Sequence, residues 1–190
     1  MIALKGEQFF EFYNGHPLVN NYGDSAHMGM EEMWDRINIA YTARKQALMF
    51  GLATDDSHNY HEFGKAFSNA GRGWVMVRSK ALTPEALIAA MEAGDFYAST
   101  GVSLEDVRFA NGQLDIRIQP ETGVTYTIEF IGAGKGTKKS EVLKTVAGTT
   151  ATFKVTGSHQ FVRARITSSK LKPNPFQEGD HEMAWTQPVR

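Results

Sequence analysis

The sequence contains no cysteine, which excludes disulfides, thiolate nucleophiles and cysteine-type zinc sites in one step. It also lacks an excess of either charge: 20 Lys and Arg stand against 21 Asp and Glu, a formal net charge of -1. No basic stripe is available to track a phosphate backbone, so no nucleic-acid partner is expected. No apolar run approaches the roughly 18 residues of a membrane-spanning helix, so no membrane partner is expected either. Residues Met1 to Gly6 lack the long apolar stretch of a signal peptide. The expectation is a soluble, cytoplasmic chain. What remains, with 42% hydrophobic and 22% charged residues, is the composition of a folded protein and not of a disordered or collagen-like one.

Residue usage divides the chain near Gly101. Four of the 15 threonines fall in residues 1–100, whereas seven of the eight methionines precede residue 92. Threonine favours strands and methionine suits helices and irregular cores, so two domains are expected, 1–100 and 101–190. In the first, Gln8 to Tyr13 is a short aromatic run ended by Asn14-Gly15. From Glu31 to Gln46, Met33, Trp34, Ile37, Ala40 and Ala43 share a helical face. Leu48 to Thr54 is a continuous apolar run, as in a parallel strand buried on both faces. Gly73 to Arg78 is another short strand, and Thr83-Pro84-Glu85 opens a helix with an N-cap, a proline in the first turn and a favourable negative charge. That helix stops at Gly94. The order β-α-β-β-α-β suggests parallel α/β structure.

Residues 101–190 read as strands only. Leu114, Ile116 and Ile118 alternate with polar residues, as do Val124, Tyr126, Ile128 and Phe130, and Val162, Ala164 and Ile166. Strands with one apolar face pack as two layers or as a closed sheet, and an antiparallel β-sandwich of about seven strands fits the length. Asn111-Gly112 is a hairpin signal, since both residues tolerate positive φ.

Two segments invite a chemical reading. Gly132-Ala133-Gly134-Lys135-Gly136-Thr137 looks like a phosphate loop, but Glu129 stands where the first glycine is required and no helix follows, so it reads as a hairpin turn. Asp56-Ser57-His58 follows the buried strand directly, where α/β folds place their chemistry. In extended backbone Asp56 and His58 point to one side and Asp55 to the other. A converging carboxylate and imidazole suit zinc, manganese or iron. The alternative is a loop aspartate capping a turn beside an exposed histidine. His61 and Glu62 read as solvated loop residues.

The run from Gly51 to Val102, together with Glu11-Phe12-Tyr13-Asn14-Gly15, Trp34-Asp35, Val162 to Ile166 and Ala184 to Pro188, closely resembles the C-terminal part of PHP-domain metal-dependent phosphoesterases, nearest to the CehA/McbA-like branch. The resemblance implies α/β plus all-β architecture: a partial PHP-type (β/α) barrel in residues 1–100 followed by a C-terminal antiparallel β-sandwich in 101–190. It implies hydrolysis of a small-molecule phosphoester or related ester by metal-activated water, with a divalent metal (zinc, manganese or iron) and no organic cofactor. Asp56 and His58 map onto the family's last metal pair, and Glu11 onto a carboxylate at an earlier strand end. Arg72, between two glycines, and His16, near a strand end, are the candidate substrate-binding residues. The family's H-x-H motif is absent from the sequence, and a catalytic metal normally takes three or more protein ligands. The chain is therefore expected to bind metal weakly and turn over little, and a non-catalytic binding or interaction module is the alternative. A half-barrel with uncovered strand edges is expected to self-associate, most simply as a homodimer.

Overall fold

The computed structural model describes residues 6–190. Eleven strands and two helices follow in chain order: β1 (Phe9–Asn14), α1 (Met30–Ala43), β2 (Phe50–Thr54), β3 (Trp74–Val77), α2 (Pro84–Glu92), β4 (Phe96–Ser99), β5 (Leu104–Ala110), β6 (Gln113–Ile118), β7 (Tyr126–Gly134), β8 (Glu141–Ala147), β9 (Thr150–Lys154), β10 (His159–Leu171) and β11 (His181–Thr186). Local signals act where they are written. Thr83 Oγ1 accepts the Ala86 N–H at 3.3 Å and Pro84 sits in the first turn of α2. Asn111 and Gly112 both take positive φ between β5 and β6, as a tight hairpin requires.

The strands form three sheets: a parallel pair β1-β2, a six-stranded sheet in the order β3-β4-β11-β10-β7-β8, and a three-stranded sheet in the order β5-β6-β9. Every neighbouring pair in the two larger sheets is antiparallel. This corrects the expected partial PHP-type (β/α) barrel. A barrel needs parallel strands, each covered by a helix, and these described residues hold two helices, open sheets and one parallel pair. The β3–α2–β4 unit misleads because an intervening helix suggests a parallel crossover. Here β4 runs back antiparallel beside β3 and continues into β11, with Ala98 opposite Trp185. Strands from both sides of residue 100 thus share one sheet.

The six-stranded sheet is the middle layer of three. On one face it packs against β5-β6-β9 through a core that includes Leu114, Ile116, Ile128, Phe130, Val162 and Ile166. On the other it packs against α1 and β1-β2 through Phe12, Trp34, Ile37, Ala98 and Trp185. Period-two geometry makes this possible: Ala184 enters the first core and its neighbour Trp185 the second.

A two-stranded parallel sheet leaves backbone groups on both outer edges, and buried groups of this kind need partners. Two side-chain amides supply some of them. Asn21 accepts from the Asn14 N–H at 2.8 Å and donates to the Asn14 carbonyl at 2.7 Å. Gln187 treats Gly51 on β2 the same way, at 2.7 and 3.0 Å. Each amide stands where a neighbouring strand would be.

Gly51 also lets two rings meet across β2. Phe12 and Trp34 stack with centroids 4.6 Å apart, and a Cβ at Gly51 would lie 2.6 Å from the Trp34 ring and 2.7 Å from Phe12. Gly51→Ala is expected to cost about 1–3 kcal/mol by overpacking, read from chemical denaturation. An unchanged midpoint would show that the rings part freely. No helix among the described residues is long and apolar enough to cross a membrane.

Candidate functional site

Because β1 and β2 are parallel, their C-terminal ends open side by side, and the Gly15 N–H donates to the Thr54 carbonyl at 2.8 Å to close the pair there. Two loops leave this point, 15–29 toward α1 and 55–73 toward β3. Crevices of this kind, beyond the carboxyl ends of parallel strands, are where α/β proteins bind ligands.

Glu11 is the first carboxylate of the cluster. One of its oxygens accepts from the Thr54 hydroxyl, and the other accepts from Asn14 Nδ2 at 3.1 Å. The same Asn14 nitrogen donates to Asp56 Oδ2 at 3.3 Å. Asn14 therefore ties a carboxylate inside β1 to one in the loop after β2, offsetting their repulsion with one shared donor. Glu11 has both oxygens engaged by protein donors, the pattern of a positioning group. Asn21 and Thr54 carry no local signal in the sequence, and the Asn14-Gly15 step at a strand end is the one signal for Asn14.

The Asp55–Asp56–Ser57–His58 segment departs from extended geometry. Asp56 has φ 50°, in the left-handed region that Asn and Asp tolerate better than most residues. The i, i+2 alternation expected for an extended chain does not hold there. Asp56 and His58 still meet, through the backbone: His58 Nδ1 lies 2.7 Å from the Asp56 carbonyl and 3.8 Å from Asp56 Oδ1. Both side chains are open to solvent, 42% for Asp56 and 67% for His58. Asp55 turns elsewhere, its carboxylate accepting the backbone N–H groups of Gly71, Arg72 and Gly73 at 2.6–2.9 Å. It fastens the far end of the loop to its start.

His16 joins from the other loop. Its backbone N–H donates to Asn14 Oδ1 at 2.8 Å, and its ring lies edge-on to His58, centroids 5.9 Å apart at 86°. Arg72 does not face this opening with a free fork. It is 2% exposed, and its guanidinium donates to the carbonyls of Asn174, Gly15, Phe67 and Gly64 at 2.6–3.0 Å. Burial draws its pKa down from the usual value, against the opposing pull of Tyr13 and Asp55. Its place is a pin through the loop, away from any anion. His61 and Glu62 are exposed, and the Gly132–Thr137 segment is the end of β7 and its turn.

Asp56 Oδ1 and His58 Nε2 have no hydrogen-bond partner among the described residues, and they are the kind of donor pair a divalent cation takes. They are two. Among the described residues no group of three or more His, Asp or Glu side chains is placed to hold a metal ion. The site fits a metal in donor chemistry and falls short in number. Comparison with known proteins gives no match to a family model, to a curated protein or to a solved structure.

Proposed function

We propose that the Asp56/His58 pair belongs to a metal-dependent hydrolase site of PHP type, acting on a phosphoester or related ester. The observation that supports this reading is the fixing of the His58 ring by the Asp56 carbonyl, which leaves Nε2 without a protein partner just beyond the end of β2, with Asp56 Oδ1 3.8 Å from the ring's Nδ1. A bound divalent metal would polarise the substrate oxygen and lower the pKa of a water ligand. The chain's own residues orient and hold. Asn14 keeps Glu11 and Asp56 together, Ser68 Oγ and the His58 ring both engage the Asp56 carbonyl, and Asp55 closes the loop beneath them. Two ligands support weak binding and little turnover, and that count also favours the second reading, a binding module without catalysis.

Calorimetric titration with Zn²⁺ or Mn²⁺ tests both. Weak binding that disappears in Asp56→Ala and in His58→Ala is expected, with negligible release of p-nitrophenol from its phosphate ester. Binding that survives both substitutions would remove the metal site. Brisk turnover lost in His58→Ala would overturn the low-activity reading.

A further inference from the structure

We propose that the two imidazoles at this strand end hold opposite tautomers, His58 presenting a lone pair and His16 an N–H, which makes His16 the hydrogen-bond donor to a phosphoryl oxygen of the substrate. The assignment rests on the metal-hydrolase reading for its role, and on the backbone for its geometry. A neutral imidazole carries one proton on one of two nitrogens, and the partner of one nitrogen decides the state of the other.

For His58 the partner is a carbonyl. The Asp56 oxygen 2.7 Å from Nδ1 can only accept, so Nδ1 carries the proton and Nε2 keeps its lone pair. For His16 the partner is a donor. The Leu18 N–H points at Nδ1 across 3.1 Å, so Nδ1 must accept and the proton sits on Nε2. The His-Pro-Leu turn enforces this, since Pro17 has no N–H and Leu18 supplies the first amide that can reach back to the ring.

The consequence is a division of labour between rings 5.9 Å apart. A divalent cation gains a ligand from His58 and nothing from His16. An anionic oxygen gains a donor from His16 and is repelled by the lone pair of His58. A phosphoryl group bridging the two would set one oxygen toward the metal side and another against the His16 N–H, a contact that strengthens as charge builds on oxygen.

Long-range ¹H–¹⁵N NMR of the full chain at about pH 8, where an ordinary imidazole is neutral, reads the tautomers directly and needs neither metal nor activity. His58 protonated on Nδ1 and His16 on Nε2 is the expected result; one shared tautomer overturns the proposal. Zn²⁺ is then added, and should move Nε2 of His58 while His16 keeps its proton. Inorganic phosphate added to the zinc-loaded protein should shift the His16 Nε2–H. His16→Phe should weaken that phosphate binding about tenfold or more, the worth of a hydrogen bond to a charged group. His16→Gln, which keeps a donor, should restore part of it. Loss of the His16 proton to zinc, or phosphate binding unchanged in His16→Phe, sinks the role given to His16. Zinc that moves neither ring sinks the metal reading and that role together, while the tautomer pair is still decided by the first spectrum.

Discussion

Asp35→Ala is expected to destabilise the protein by about 3–5 kcal/mol, the cost of stranding a buried charge. Asp35 lies on α1 and receives a two-pronged contact from Arg163 on β10, with Nε to Oδ1 at 2.7 Å and Nη2 to Oδ2 at 2.9 Å. Ser140 adds a third bond at 2.7 Å, and Glu31 accepts from Arg163 Nη2 at 2.9 Å. Arg163 is 1% exposed, with its guanidinium 4.9 Å over the Trp34 ring. Burial works against its charge, but Asp35 and Glu31 outweigh burial and hold its pKa above the ordinary value. Removing Asp35 leaves that charge with one partly exposed carboxylate. Replacing Asp35 and Arg163 together by apolar residues is expected to cost much less than either single change, because the stranded ion is gone. Urea unfolding of the three variants decides it. Equal losses in all three would mean that packing, and not charge, joins α1 to the sheet.

Acid should act on the same cluster. Burial disfavours the Glu31 carboxylate, yet Arg163 and Arg165 overcome this and hold its pKa below the usual range. A carboxylate depressed in the folded state contributes its full stability above the unfolded value, about 4.3, and loses it as pH falls through the lower folded value. Stability should therefore decline from about pH 5 downward, and more gently in Glu31→Gln. Parallel acid profiles for the two proteins would exclude Glu31 as a source.

Arg72→Ala should have the second large effect, on the order of 3 kcal/mol or more, because four carbonyls lose a charged donor at once. The carbonyls belong to Gly15, Gly64, Phe67 and Asn174, so the arginine joins both loops of the candidate site to the β10–β11 connection. Arg72→Lys is not expected to rescue it, since one ammonium cannot reproduce a planar fork aimed in several directions. Calorimetric melting gives the loss, and the His58 ring resonances report whether the strand-end cluster loosens with it. A lysine variant as stable as the parent would show that charge alone suffices.

What the sequence makes legible is local. The capped start of α2 and the Asn111-Gly112 turn depend on residues a few positions apart, and the structure places each where those residues stand; α1 also forms, but its buried face is Trp34, Asp35, Ile37, Asn38 and Tyr41, and Ala43 of the expected face is exposed. Sheet membership depends on distant ones. Nothing near Tyr97 or Ala98 announces a partner at Trp185 or Thr186, and a helix between β3 and β4 argues for a parallel crossover that does not form. Asp35 and Arg163 are likewise 128 positions apart, and each alone looks like a surface charge. At the candidate site, the Asp-x-His spacing predicts that two residues meet, and they do so by a different route. Those residues meet through a carbonyl and a left-handed backbone step, which a two-residue repeat does not encode.

The place of β11 between β4 and β10 also bears on the order of assembly. During synthesis, β3 and β4 emerge early, yet β4 gains its second neighbour only after residues 181–186 have left the ribosome. Until then both apolar layers lack the strand that carries Ala184 and Trp185. The middle sheet closes late and over a long sequence separation, so folding should be slow, and the nascent chain is most exposed to wrong strand pairing just before β11 arrives.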